Sequence, residues 1–202
     1  MKIRSLTLLG LAVLVGFLLI AIVSTQTGKA PNFQGSLIEP PTPAKDFLLH
    51  DQHGQPFHLS DQRGKVVLLF FGYTFCPDVC PATLVSFKKI REGLGNHANQ
   101  VKFVFVTVDP DRDTPEQLKT HLGLFSPDFV GLTDDLNQLE TVWADYFIDP
   151  QKQPGAGTAG YLVEHTTRLY VIDQQGNLRL TFPFGLSYEA MLQDVQQLLN
   201  EK

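Results

Sequence analysis

Cys76 and Cys80 are the only two cysteines in the 202 residues, and they stand four apart. Residues four apart share a face of a helical turn. Their Cα atoms would lie about 6 Å apart there, within reach of a disulfide. Reduced, the same pair offers two soft sulfur donors to one metal ion. Two prolines shape this segment, Pro77 and Pro81. Proline suits the first position of a helix and breaks an interior. The regular helix is therefore expected from about Pro81 onward, with residues 76–80 as an irregular first turn. A helix N-terminus favours thiolate over thiol.

Other side chains compete for a role. Asp109, Asp111 and Asp113 alternate as in a calcium loop, which would need Gly at the sixth position and Glu at the twelfth. Thr114 and Thr120 stand there, so calcium is excluded. Asp109 and Asp113 remain candidates to face a site at the end of a strand. His50, His53 and His58 lack tight ligand spacing and read as turn and edge-strand residues. His165 sits between an apolar stretch, 161–163, and a strong strand candidate, 166–173.

The elements that must position these groups follow from periodicity. Residues 46–60 read as two short strands around a turn at Gln52, His53 and Gly54. Residues 65–71 form a continuous apolar run that suits a central strand covered on both faces. After the cysteines, Leu84, Phe87, Ile90 and Leu94 recur at helical spacing, and Gly93 and Gly95 close that helix. Residues 101–108 are a second buried strand, so a strand–helix–strand crossover and a parallel pair are expected. Thr114, Pro115 and Gln117 form a helix start with a capping box. A short strand over 129–132 and a helix containing Leu136, Leu139, Val142, Trp143 and Tyr146 come next. Residues 149–160 read as a long flexible loop. The turn at 174–177 makes a hairpin with 178–182, and Ser187 caps a final helix.

The amino terminus is a separate object. Lys2 and Arg4 precede an unbroken apolar run over 6–23, about the length that crosses a bilayer. It reads as an uncleaved anchor over 1–25 with its basic end cytoplasmic. Residues 26–45, rich in Pro and Gly, read as a flexible tether. The domain, 46–202, would lie outside the cytoplasm, in the periplasm or an equivalent space. An oxidising compartment tends to close a nearby dithiol. Yet a disulfide closing so short a loop adds little stability. The pair is thus better explained as redox-active, metal-binding, or both. The net charge of −5 and the lack of a basic stripe exclude a nucleic-acid partner.

The element order matches the thioredoxin arrangement: an α/β fold, a central mixed sheet flanked by helices, with an extra N-terminal β-hairpin and a single transmembrane helix before it. In that layout the cysteine turn lies beside the entrance of the last hairpin, where His165 stands. Two thiolates and an imidazole suit Cu(I) or Zn(II). Zinc in structural sites usually takes a fourth protein ligand, so a three-ligand set fits copper that is passed on. Glu164 or a nearby aspartate is a candidate to orient His165.

Three segments carry a family resemblance: GYTFCPDVCP at 72–81, VDPDRDTP at 108–115 and VEHT at 163–166. Together they resemble the Sco/SenC family, from about Lys45 to the end, plus the single anchor. The resemblance implies a membrane-anchored, thioredoxin-fold, copper-binding protein. It implies Cys76, Cys80 and His165 as metal ligands. It also implies a role in assembling the Cu(A) centre of cytochrome c oxidase, with the copper-bearing oxidase subunit as partner. Other copper carriers or thiol reductants would be further partners. The alternative is an extracytoplasmic thiol–disulfide oxidoreductase with Cys76 and Cys80 as its catalytic pair. Against that as the sole role stand the C-x-x-x-C spacing and a threonine, Thr166 or Thr167, where thioredoxins carry proline. A peroxidase reading fails because Thr74 precedes Cys76 by two residues instead of three.

Overall fold

The structure is a computed structural model and describes residues 32–154 and 160–201. The expected anchor and the first part of the tether lie outside the described residues. Among the described residues no helix is long and apolar enough to cross a membrane.

Eight strands form one sheet in the order β1-β10-β9-β4-β5-β6-β2-β3. At its centre β4 (Val66–Gly72) runs parallel to β5 (Val101–Thr107), which runs parallel to β6 (Val130–Thr133). All seven residues of β4 are buried, as their unbroken apolar sequence requires of a strand covered on both faces. Helix α1 (Val79–Leu94) connects β4 to β5 and covers one face. Its Phe87 ring lies 5.3 Å from Phe103 of β5 and 5.7 Å from Phe129. The opposite face is covered beyond the end of α3 (Leu136–Asp145), where the Tyr146 ring lies 5.5 Å from Phe71. Each fully buried aromatic of this kind contributes roughly 2 kcal/mol by removal from water.

The remaining elements dock on this centre. Helix α2 (Pro115–Gly123) starts as expected, with Thr114 accepting from the Gln117 N–H. Its Leu122 packs where a side chain on Gly131 of β6 would collide, at 2.6 Å from an added Cβ. Helix α4 (Tyr188–Asn200), capped by Ser187, packs on α1. The close approach requires Gly93, because a Cβ there would meet Leu192 at 2.5 Å. Strands β9 (Leu169–Ile172) and β10 (Asn177–Phe182) form the expected hairpin, with Gly176 at φ 86° in its turn. Strands β2 (Leu48–Asp51) and β3 (Pro56–His58) form the expected N-terminal hairpin.

Two expectations are corrected. Residues 36–43, assigned to the tether, form β1 (Ser36–Pro43), antiparallel to β10. Its prolines are compatible with pairing because β1 is an edge strand, with an irregularity in register between Leu37 and Thr42. Just before it, the buried Asp194 carboxylate of α4 accepts the Gln34 and Gly35 N–H groups, at 3.0 and 2.8 Å. Residues 149–160, assigned to a flexible loop, contain β7 (Gln151–Pro154). It pairs with β8 (Tyr161–Glu164) in a separate two-stranded sheet. All four β7 side chains are exposed, so no apolar alternation marks the strand.

Candidate metal centre

The cysteine turn hangs from the carboxyl end of β4. The Cys76 N–H donates to the Tyr73 carbonyl at 3.3 Å, closing a turn before α1. Helix α1 starts at Val79, two residues earlier than expected, so Cys80 lies inside it. The earlier start is permitted because Pro81 is only its third residue. The N–H that proline lacks would have had no helical acceptor there. The residue four before it, Pro77, lies outside the helix.

The two sulfurs are unlike. Cys80 is fully buried and Cys76 half-buried; both are free thiols. A Cβ on Gly72 would come within 3.0 Å of Cys80 Sγ, so glycine there leaves room for the sulfur beneath the end of β4. The Cys80 N–H donates to Cys76 Sγ at 3.4 Å. The Cys80 thiol also donates to Cys76, and this is the largest cause lowering the Cys76 thiol to about 5. Burial opposes the shift, while the Cys80 and Asp78 N–H groups add to it. Cys80 moves the opposite way, raised first by that same thiol contact and then by burial. At neutral pH the pair is therefore an exposed-side thiolate over a buried thiol.

Beneath it lies a buried acid. Asp113, fully buried, accepts from the Thr74 N–H at 3.1 Å and from the Thr74 and Thr107 hydroxyls at 2.7 Å each. Burial raises its pKa above the usual carboxylate value, with those hydrogen bonds opposing. Gln117 does not close a capping box. Its side-chain amide reaches the Thr74 hydroxyl at 3.0 Å and so ties α2 to the cysteine turn. Asp109, also fully buried, accepts from the Tyr161 hydroxyl at 2.6 Å and pairs with Arg112. Asp113 thus lies close enough to act on Cys80, whereas Asp109 is committed to Tyr161 and Arg112.

His165 follows β8 directly. Residues 165–168 belong to no strand, so the expected strand over 166–173 is shortened to Leu169–Ile172. The His165 ring stands edge-on to Tyr73, with centroids 6.1 Å apart. Its Nδ1 lies 2.8 Å from the Thr166 carbonyl. A carbonyl only accepts, so Nδ1 carries the proton and Nε2 keeps its lone pair. Burial lowers the imidazole pKa, opposed by the Thr166 bond and by the Cys76 thiolate nearby. The ring is thus neutral at pH 7. Glu164, a candidate to orient it, is exposed on β8, and the Thr166 carbonyl takes that role.

The fold brings the three expected residues to one edge of the molecule. It packs the sulfurs together and leaves the imidazole beside them, close enough to Cys76 for their charges to interact. Among the described residues, no three His, Cys, Asp or Glu side chains stand close enough to hold a metal ion together. As donors the set suits a soft ion: a thiolate, a second sulfur and a neutral imidazole nitrogen. Reading by residue type did not find Arg112. Its guanidinium lies 3.7 Å from the Tyr161 ring centroid, 4.8 Å from Phe75 and 5.7 Å from Tyr73. The signal available was its place between Asp111 and Asp113 in a loop leaving a parallel strand.

The SCO1/SenC family model matches residues 36–200. The chain belongs to the SCO1/SenC family. An SCO2-like protein of Rickettsia conorii is 35% identical over 149 residues, 73% of each chain. Among solved structures, apo Sco1 of Thermus thermophilus is 36% identical with a TM-score of 0.74, covering 85% of this chain and all of that one. The structure of Bradyrhizobium japonicum ScoI with copper bound is 33% identical with a TM-score of 0.71, covering 78% of this chain and all of that one. The expected mixed, thioredoxin-like α/β architecture is the one this family member has.

Proposed function

We propose that this SCO1/SenC protein is a copper metallochaperone for the Cu(A) centre of cytochrome c oxidase, working outside the cytoplasm from an N-terminal membrane anchor. The observation that carries the reading is the donor set: the Cys76 thiolate, the Cys80 sulfur packed on it, and His165 in the tautomer that presents Nε2. Copper bound in a family relative supports the choice of ion. In this reading Cys76, Cys80 and His165 hold the cargo. Three-residue coordination needs the unpaired segment 165–168 to move toward the sulfurs, and no strand ladder opposes that movement. A site with only three protein donors, one sulfur half-buried, suits an ion handed to a partner's ligands.

The test is copper titration of the reduced domain with C76A, C80A and H165A variants, together with X-ray absorption. Loss of either sulfur is expected to remove tight stoichiometric binding. Loss of the imidazole is expected to weaken binding and to remove the nitrogen neighbour. Unchanged stoichiometry and affinity in all three variants would refute the reading.

The thiolate–thiol asymmetry favours a second reading, reduction of a disulfide in an oxidase subunit or other partner. The Cys76 thiolate would attack one partner sulfur, forming a mixed disulfide and releasing the other partner sulfur as thiolate. Cys80, giving up its proton, would then attack Cys76 Sγ and release the second. The cysteine pair loses two electrons and the partner disulfide gains them. H165A separates the readings: full disulfide reductase activity without copper delivery in cells would favour the reductase.

A further inference from the structure

We propose that Arg112 is a positioning residue, a clasp that holds the β7–β8 arm on the cysteine turn and so sets how near His165 stands to the sulfurs. The inference takes its purpose from the copper reading, but its geometry is independent of it. The arm is not part of the eight-stranded sheet, and β8 pairs only with β7 among the described strands. A lone two-stranded hairpin is marginally stable in water. Something other than a strand ladder must therefore fix the direction in which it delivers His165.

Val163 in the middle of β8 is buried in the main core, and its backbone hydrogen-bonds Tyr73, which seats the arm. The contacts that fix the start of β8 converge on one guanidinium. Arg112 Nε pairs with buried Asp109, and Nη1 donates to the Tyr161 carbonyl at 3.1 Å. The guanidinium plane sits over the Tyr161 ring at 3.7 Å and beside Phe75, the neighbour of Cys76, at 4.8 Å. Asp109 completes the closure by accepting the Tyr161 hydroxyl. Three segments thus meet at Arg112: the cysteine turn, the loop after β5 and the first residue of β8. Tyr161 is four residues before His165, about 13 Å of extended chain. Displacing Tyr161 therefore displaces the imidazole. The second contact between the arm and that loop, Lys152 with Asp111, joins side chains that are 53% and 70% exposed, and such pairs hold little. The Arg112 side chain is only 17% exposed and its Asp109 partner is fully buried.

Arg112→Lys tests the clasp because lysine keeps a positive charge for Asp109 but loses the stacked plane and the forked donors. Tyr161→Phe is a second variant; it removes only the hydroxyl bond to Asp109. The first measurement is amide hydrogen exchange on the metal-free, reduced domain. In R112K the amides of 161–165 are expected to exchange about 10-fold faster, while those of β4 and β5 stay unchanged. Y161F is expected to do the same to a smaller degree. The second is Cu(I) affinity in two backgrounds. R112K is expected to weaken binding about 10-fold with His165 present and to have no effect in H165A, since two residues acting through one ligand are not additive. Unchanged arm exchange in both variants would overturn the clasp. So would an equal affinity loss in the H165A background, which would place the effect on the sulfurs. If the unmodified domain binds no Cu(I), the copper reading falls and the exchange measurement still decides the clasp.

Discussion

The two halves of the candidate centre are built on opposite plans. The sulfur half is set in the main core. Cys80 is buried in the first turn of α1 under β4, and Thr74 beside it is held by Asp113 and Gln117. The imidazole half sits on a segment without strand pairing, at the end of a hairpin outside the main sheet. A rigid half fixes the electronic character of the sulfurs. A half attached through side chains is free to be set at different distances from them. The proposed copper-carrier role would use both properties, because an ion fully caged by fixed donors is not released.

The comparison breaks if the sulfur half lacks the asymmetry its packing gives it. Cys76 is expected to be alkylated by iodoacetamide at a rate that is flat from pH 8 down to about 6. The rate should fall as pH drops through about 5, where its thiolate is protonated. C80A removes the thiol donor that is the largest cause of that low value. Alkylation at pH 6 should then slow on the order of 100-fold, a rise of about three pKa units. An unchanged rate profile would mean that Cys80 does not hold the Cys76 charge.

The buried acid gives the next largest effect. Asp113→Ala leaves the Thr74 N–H and the two threonine hydroxyls without their acceptor, and is expected to cost about 3 kcal/mol in urea unfolding. Asp113 also has a sign in pH. Burial raises its folded pKa, so its contribution is complete below the unfolded value and is lost as pH rises through the folded value. D113N should flatten the pH dependence of stability on the alkaline side of the usual carboxylate pKa, near 4. A variant as steeply pH-dependent as the unaltered chain there would show that Asp113 is already ionised without cost.

What was legible in the chain divides along the same line. The sulfur half was readable because its elements are long and apolar: all of β4 is buried, and Leu84, Phe87 and Ile90 recur at helical spacing. The placing of His165 on the side of the cysteines followed from topology, since the order of elements brings the last hairpin beside β4, although among the described residues the three side chains do not close into a metal-holding group. The arm was not readable. Strand β7 has four exposed side chains, and its pairing with β8 leaves no apolar trace in the residues. Strand β1 was hidden by its prolines, which an edge strand tolerates. Helix α1 began early because proline costs nothing at the third helical position. Gln117 fits a capping box by spacing, but a tertiary partner, Thr74, wins its side chain. Apart from the start of α1, which is a matter of local proline placement, these misses are places where pairing or a tertiary contact overrode a local pattern.

Close packing under the sulfurs supplies the third measurement. Gly72→Ala would place a methyl 2.9 Å from the Phe70 and Phe105 rings and 3.0 Å from Cys80 Sγ. Overpacking of this kind is expected to cost about 2 kcal/mol. Because the collision is partly with sulfur, it should also move Cys80 relative to Cys76 and raise the pH at which Cys76 alkylation falls. A loss of stability with an unchanged alkylation profile would mean the rings yield and the sulfur does not.

The smallest expected effect is on the arm, and it sharpens the comparison by being small. Lys152 pairs with Asp111 at 2.6 Å and lies 5.0 Å from the Tyr161 ring centroid, so by distance alone it resembles a second clasp. Both partners are more than half exposed, where water screens the attraction and ordering a lysine offsets much of the gain. Lys152→Ala is expected to change global stability by less than about 0.5 kcal/mol, an exposed-pair magnitude. It should leave exchange at 161–165 near that of the unaltered chain, unlike Arg112→Lys. If instead Lys152→Ala freed the arm as much as Arg112→Lys does, attachment would be spread over the surface of the hairpin. The contrast between a fixed sulfur half and an imidazole half set by one largely enclosed cation would then have to be given up.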